Sequence, residues 1–395
     1  SMNGMETAMM LLFTAMSFYF TIISKKKNEI LEGISWAGLM WTRPDGFIFI
    51  GSFVVVSLIL RRFKLDKEFI LKTIGIPAII CTILYLPWFL WAWSYYGSPV
   101  PNTIRAKSVL MHHYSTIQFL SMSLMKLPYS VIWVQAPIYV QFFGWPIQII
   151  GFSAILGVFS FFYWIFPLKD LTGRGASFIF FLLCIYCSIM FFPFPWYFPA
   201  ISFFGMIALI RGVSKFLKST RFDRFYSYLL ACVFVMNLYV FLASAWEMKV
   251  QQKLIENGNR KRIGEWLKQN MHRDEKLYLE CVGYVGYFSE ARVYDYPGLV
   301  TPKVVKLIRE ENLNFATLVP ELEPDWILAR PIECSLLLSV PYFRDNYNMV
   351  KTFDVYDKIE KIDFLPGEGY LLYDACFHIF RKKTKSNSDN NEGNK

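Results

Sequence analysis

The sequence predicts an α-helical polytopic membrane protein of about eight spans, followed by a small C-terminal α/β domain. Three observations predict it. The 395 residues are 54% hydrophobic and 18% aromatic, with only 18% charged and a mean hydropathy of +0.32. A soluble domain carries about 25% charged residues. The charge is also unevenly divided. Residues 1–248 hold 19 Lys and Arg against 9 Asp and Glu, whereas residues 249–395 hold 22 of each. Finally, eight apolar runs punctuate the first part. The predicted organisation is a membrane domain at 1–248, with an outer amphipathic segment near 97–144, then an α/β domain at 249–381. The polar stretch 382–395 is low in complexity and reads as a disordered tail. A basic excess confined to the apolar region excludes a nucleic-acid partner, which needs that excess on a soluble face. The lipid bilayer is the first partner implied.

The apolar runs fall at 8–24, 30–42, 47–60, 69–95, 145–166, 176–192, 197–211 and 225–246. A hydrocarbon core of about 30 Å sets the length required of a crossing helix, and several runs are short for it. Pro77 and Pro87 lie inside the fourth run, where a kink is expected. Basic residues set the orientation. One side collects fifteen: Lys25, Lys26, Lys27, Arg61, Arg62, Lys64, Lys67, Lys72, Lys169, Arg174, Arg211, Lys215, Lys218, Arg221 and Arg224. The positive-inside rule makes that side cytoplasmic. The other short loops hold Arg43, Arg105, Lys107 and Lys126. An alternating path then places residue 1, the turn at 43–46, the segment 97–144 and the C-terminal domain on the extracytoplasmic side of a bacterial-type plasma membrane. No signal peptide precedes the first run.

Outer charges run against the orientation rule, so each asks for a reason. Lys126 is explained by snorkelling of its ammonium toward headgroups. In Trp41-Thr42-Arg43-Pro44-Asp45-Gly46 the Pro and Gly predict a tight turn. Arg43 either pairs with Asp45 or faces a cavity, where its planar fork of donors suits a phosphate. Tyr96 ends an aromatic belt with Trp88, Trp91 and Trp93. Beyond it, Pro99 and Pro101 break helix before Asn102, Arg105 and Lys107. Ser108 to Val140 reads as one or two amphipathic helices on the membrane surface. His112 and His113 are adjacent, diverge on a helix, and lack nearby ligands, so they are poor metal candidates. Phe192-Pro193-Phe194-Pro195-Trp196-Tyr197-Phe198-Pro199 cannot run as one helix. Its aromatics either border a groove for a lipid or sugar or form an interfacial belt. Glu6 is a lone carboxylate at the start of the first run, where the helix dipole favours it and Thr7 could cap.

Taken in order, Gly4-Met5-Glu6-Thr7, the turn at 42–46, the Tyr95-Tyr96-Gly97 to Lys107 stretch and Pro195-Trp196-Tyr197-Phe198-Pro199 resemble the GT-C integral-membrane glycosyltransferases. The likeness is to the polyprenyl-phosphate-sugar-dependent branch, which includes arabinofuranosyltransferase-like and dolichyl-phosphate-mannose-mannosyltransferase-like enzymes. Val282-Gly283-Tyr284-Val285-Gly286-Tyr287-Phe288-Ser289 and Asp295-Tyr296-Pro297-Gly298-Leu299-Val300 resemble the outer domain of that group. The resemblance implies inverting transfer of a sugar from a polyprenyl-phosphate-sugar donor to an extracytoplasmic glycan, lipid or protein acceptor. It implies an auxiliary acid role for Glu6, assisting the base or a divalent cation. Arg43, Arg105 and Lys107 would hold the lipid-linked phosphate and Asp45 would orient Arg43. Tyr96, Asn102, Trp196 and Tyr197 would line the groove for lipid or sugar. The family's principal Asp lies in a loop that no residue here matches, so the expectation is a chain lacking the N-terminal part, or an inactive descendant.

Past Lys253 the patterning becomes that of a soluble domain. Helices are predicted at 262–270 and 302–311, the second with Pro at its first turn. Strands are predicted at 276–282, 292–296, 326–330, 349–356 and 370–381. Asp295-Tyr296-Pro297-Gly298 has no phosphate-cradling loop before it, so it reads as a turn with Gly298 in a special backbone region. Of seven cysteines, Cys81, Cys184, Cys187 and Cys232 fall in apolar runs as packing residues. Cys281, Cys334 and Cys376 can form at most one bridge. Two further readings stand beside the enzyme: a flippase or transporter for lipid-linked saccharides, and a non-catalytic assembly subunit. Transporters tend toward internal repeats and charged mid-membrane helices, and neither a repeat nor a buried ionisable pair is read here.

Overall fold

Each of the eight apolar runs folds as helix in the computed structural model, which describes residues 6–24, 26–60, 67–109, 114–136, 145–190, 194–217 and 223–383. In chain order these are α1 (Thr7–Phe18), extended by a π-turn at Tyr19–Ile23, α2 (Glu29–Thr42), α3 (Gly46–Leu60), α4 (Lys67–Ile70) and α5 (Ile76–Tyr96). Then come α6 (Asn102–Val109), α7 (Thr116–Trp133), α8 (Ile147–Phe162), α9 (Leu171–Ile189), α10 (Phe198–Leu217) and α11 (Asp223–Val250). Five helices are long and apolar enough to cross a membrane: Lys67–Tyr96, Ile147–Ile165, Leu171–Ile189, Pro195–Lys215 and Leu230–Asn270. Those at Thr7–Ile23 and Gly46–Ile59 are apolar but shorter. The chain is an integral membrane protein on this count.

The chain divides into two compact units, one holding α1–α5 and α7–α11 as far as Ser244, the other α6 and everything from Ala245. In the first, α9 is the central helix. Its Ala176, Ile179, Phe180, Leu183, Cys184 and Cys187 are all wholly buried, packed with Phe18, Phe53 and Phe204. The apolar window of Lys67–Tyr96 is only 11% buried against 61% for α9, so α5 presents most of its surface outward. Two buried hydroxyls link helices within the bundle: Ser177 Oγ donates to the Ser160 carbonyl at 2.6 Å, and Ser160 Oγ to the Gly205 carbonyl at 2.9 Å. Asp170 caps α9 and holds Arg211 at 2.9 Å.

Several local expectations change. Pro77 lies within the continuous helix Lys67–Tyr96, directly after the π-turn at Leu71–Gly75, and Pro87 lies further along α5. Pro199 sits in the first turn of α10, so helix resumes at Pro195 despite three prolines in the motif. Glu32, in the first turn of α2, is wholly buried with Lys27 at 3.5 Å. That is the buried ionisable pair the sequence did not reveal. Lys25, Arg61, Arg62, Lys64, Lys218, Arg221, His112, His113, Phe192 and Pro193 lie outside the described residues. So do Gly4, Met5, residues 137–144 of the amphipathic segment, the side chain of Arg224, and the tail from 384.

The second unit continues α11 through a π-helical stretch at Gln251–Arg260 into α12 (Lys261–Asn270). It then builds β1 (Lys276–Leu279), α13 (Val282–Ser289), β2 (Arg292–Asp295), α14 (Pro302–Glu311), α15 (Leu318–Leu322) and β3 (Trp326–Ala329). The chain finishes with α16 (Pro331–Leu338), α17 (Pro341–Asn346), β4 (Tyr347–Asp354), α18 (Tyr356–Glu360), α19 (Glu368–Tyr373) and β5 (Cys376–Lys382). The sheet order is β2-β1-β3-β5-β4, parallel on either side of β1 and antiparallel around β5. Alternation along the strands sorts the core into two layers. Leu277, Leu279 and Leu328 face α12 and α13. Tyr278, Ile327 and Ala329 face α14 to α17. β1 stops at Leu279, short of the expected end at 282, with Val282–Ser289 forming a helix, and 368–373 form a helix before the last strand begins. α6 also belongs here: Ala106 and Val109 pack in the second layer with Val304 and Val305.

Candidate functional site

The turn between α2 and α3 gathers the first unit's most concentrated polar chemistry. Arg43 leaves α2 in an extended conformation, its N–H still donating to the Leu39 carbonyl at 3.0 Å. Gly46 closes the turn by donating to the Arg43 carbonyl at 2.9 Å. A Cβ on Gly46 would stand 2.7 Å from the Leu39 carbonyl, which is why the position needs glycine.

This geometry sets the Arg43 and Asp45 side chains in register. Arg43 Nε donates to Asp45 Oδ1 and Nη2 to Asp45 Oδ2, both at 2.9 Å, a two-pronged pairing. Tyr186 Oη, from α9, donates to Asp45 Oδ2 at 2.8 Å. Arg43 Nη1 reaches the Trp196 carbonyl at 3.4 Å, and the guanidinium carbon lies 3.7 Å from the centroid of the Tyr197 ring. That stacking is a cation–π contact. Trp196 in turn stacks on Phe194 at 4.5 Å with the rings 4° from parallel. Glu6 completes the group, Oε1 standing 3.8 Å from Arg43 Nε. It follows no capping role, since no side-chain bond caps α1.

Five residues singled out from three separate motifs thus meet: Glu6, Arg43, Asp45, Trp196 and Tyr197. Arg43 is nearly buried while Glu6 keeps about a third of its side chain exposed. Two carboxylates surround one guanidinium, so the cluster carries an excess of negative charge. Asp45 has both oxygens engaged. Among the described residues no group of three or more His, Cys, Asp or Glu gathers. Tyr186 is the member that sequence reasoning missed.

An apolar groove of about 340 Å³ runs between α2, α3 and α5, lined by Trp36, Met40, Phe47, Ile50, Tyr85 and Phe89 among others. Met40 and Phe47 flank the Arg43–Asp45 turn in sequence, while none of the five cluster residues lines the groove. The buried Trp36 indole N–H meets no acceptor among the described residues.

The other expected site residues are placed differently. Tyr96 stands 70% exposed at the end of α5, edge-on to Tyr95. Asn102, Arg105 and Lys107 lie on α6, in the second unit. There Asn102 Nδ2 donates to the carbonyls of Gly298 and Leu299, at 2.7 and 3.0 Å. Its amide is committed to holding the 295–300 turn, in which Gly298 takes a φ of 95° and Asp295 accepts from Val300 N at 3.1 Å. Arg105 is exposed and Lys107 half-buried.

The second unit has its own ionic knot. Arg330, buried just past β3, donates through Nε to Asp374 at 2.7 Å and through Nη1 to Glu333 at 2.6 Å, and pairs through Nη2 with Glu280 at 2.7 Å. Arg260 shares Asp374 at 2.7 Å. Burial opposes the charge on Arg330, but Asp374 and Glu280 outweigh it and hold its pKa above the ordinary arginine value.

Compared with known proteins, residues 247–379 match a family described as a domain of unknown function, DUF8728, which covers the α/β unit and the foot of α11. No curated protein and no solved structure matches the chain.

Proposed function

We propose that the chain is a membrane glycosyltransferase of the GT-C type, transferring a sugar from a polyprenyl-phosphate donor to an extracytoplasmic glycan, lipid or protein acceptor. On this reading the chain crosses the membrane about eight times with the α/β domain outside. The observation that carries the proposal is the meeting of Glu6, Arg43, Asp45, Trp196 and Tyr197 around one guanidinium, in the unit that also holds the apolar groove. The groove suits an isoprenoid chain, which needs apolar walls and few polar anchors. Asp45 and the Tyr197 ring hold the Arg43 fork, and Nη1, whose contact with the Trp196 carbonyl is long at 3.4 Å, is the end of the fork offered to a phosphate oxygen. Glu6 is the exposed carboxylate beside it, placed to assist deprotonation of the acceptor hydroxyl. The acceptor oxygen then bonds to the anomeric carbon as the bond to the phosphate oxygen breaks, and polyprenyl phosphate departs with that electron pair. Arg105 and Lys107 remain donor-phosphate candidates on α6.

The test is transfer from a polyprenyl-phosphate-linked sugar by the full-length protein in proteoliposomes. Arg43→Ala is expected to lower turnover at least a hundredfold and Glu6→Gln about tenfold, with thermal unfolding still cooperative. Unchanged turnover in Arg43→Ala would reject the phosphate role. Glu32, wholly buried at the start of α2 with Lys27 of the preceding loop at 3.5 Å, favours a second reading, a flippase for lipid-linked saccharide. Translocation of the labelled lipid without transfer in the same vesicles would select it.

A further inference from the structure

The foot of α11 and the loop that follows α18 are locked together within the second unit. Glu247 is wholly buried, and the backbone N–H of Gly367 is the polar group that faces its carboxylate. Gly367 lies directly over it: any Cβ at that position would overlap the Glu247 carboxylate. Val250 and Ile255, further along the same helix, pack with Ile359, Leu365 and Leu371 from the loop and its flanking helices. The loop at 361–367 is therefore held at the level of Glu247.

That level is defined by the helix itself. Leu230–Asn270 is one continuous helix with apolar crossing character, and its apolar run ends at Trp246. Trp246 and Met248 are each 41% exposed, and Lys249 Nζ lies 5.8 Å from the Trp246 ring. Indole and lysine at the end of an apolar run are the side chains that favour the headgroup layer. The loop packed on this collar presents Phe364, 60% exposed, while its neighbour Leu365 is buried. Phe364 has a φ of 59°, a left-handed conformation that costs an aromatic residue about 1 kcal/mol.

We infer that the loop at 361–367 is a membrane-surface contact, in which Phe364 enters the bilayer interface beside Trp246 and anchors the α/β unit to the lipid surface. The occupant is lipid, and the attraction is apolar. Lys358 and Lys361 are matched by Asp357, Glu360 and Asp363, so the loop carries no basic excess that would select anionic headgroups. The inference is independent of whether the protein transfers a sugar.

The test uses the full-length protein in nanodiscs of phosphatidylcholine and, separately, of phosphatidylglycerol. Phe364→p-benzoylphenylalanine is irradiated and lipid adducts are counted by mass spectrometry. Gln269→p-benzoylphenylalanine is the comparison. It is exposed on the same helix, about 30 Å beyond Glu247 at an α-helical rise. Adducts at 364 at least tenfold above those at 269, in both lipids and at high salt, are expected. Adducts no more frequent than at 269, or present only with phosphatidylglycerol at low salt, would overturn the apolar contact. If the photoprobe variant unfolds, Phe364→Trp replaces it, read as added quenching over the parent by lipids brominated near the headgroup; no added quenching overturns the inference equally.

Discussion

Tyr186 Oη donates a 2.8 Å hydrogen bond to Asp45, joining the middle of the chain to the turn between its second and third helices. The bond completes the shell of a carboxylate whose two oxygens already receive the Arg43 fork. Removing the hydroxyl leaves the ion pair in place but frees it to swing. Tyr186→Phe is therefore expected to cost about 1–2 kcal/mol of stability, a charge-assisted hydrogen bond. On the proposed function it should lower sugar transfer only a few-fold, with the larger change in KM. Thermal unfolding and steady-state kinetics check the two parts.

Asp45→Ala is the harsher change, because it leaves a nearly buried guanidinium without its two-pronged partner. Loss of one member of such a pair costs about 3 kcal/mol or more. Asp45→Ala should lower Tm well beyond Tyr186→Phe, and the double variant should be no worse than Asp45→Ala alone. Additive losses in that double-mutant cycle would mean that Tyr186 acts elsewhere.

Arg43 and Asp45 were legible because Pro44 and Gly46 punctuate two apolar runs and leave charges with nowhere to go but a turn. Trp196 and Tyr197 were legible for the same reason, between prolines. Tyr186 carries no such mark: it is an aromatic inside an apolar helix, and only the packing of α9 against α3 gives its hydroxyl a partner. Glu32 is not marked in the sequence either: only the packing around the start of α2 buries it beside Lys27. In the α/β unit, Val282 to Ser289 has the β-branched and aromatic residues of a strand. Tertiary packing against α12 overrides that preference. The wide separation of Asn102 from Gly298 in sequence hid their contact altogether.

Asn102→Ala should release α6 from the 295–300 turn. Two carbonyls lose their donor, and Ala106 and Val109 lose the anchor at the start of their helix. Hydrogen exchange of α6 amides is expected to rise at least tenfold, while the amides of β1 and β3, deeper in the sheet, keep their protection. Equal exchange in parent and variant would show that Ala106 and Val109 hold the helix unaided.

Burial pushes the thiols of Cys281 and Cys334 up to about 12. Thiolate is the reactive form, so both should resist iodoacetamide at pH 8 in the native protein and react fully once denaturant is added. Alkylation followed by mass spectrometry reads each site. Every cysteine is a free thiol in the structure, so reductant should not change the pattern.

Arg330 offers the sharpest contrast between pairing and burial. Its guanidinium meets Asp374, Glu333 and Glu280 at 2.6–2.7 Å, and it lies within 4.9 Å of the Tyr373 ring centroid. Arg330→Met keeps much of the side-chain volume but leaves three carboxylates facing one another, two of them nearly buried. Only Arg260 remains to offset Asp374. A loss of about 3–5 kcal/mol follows from stranding buried charge, enough to unfold a unit of ordinary marginal stability. The companion variant Arg330→Met with Glu333→Gln and Asp374→Asn removes two of the stranded charges and should recover part of the loss. Recovery would assign the knot's effect to uncompensated charge, whereas equal instability in both variants would assign it to the packing of Arg330 against Tyr373 and Phe377. Denaturant unfolding of the full chain, followed by protection of β1 and β3 amides, separates the two outcomes.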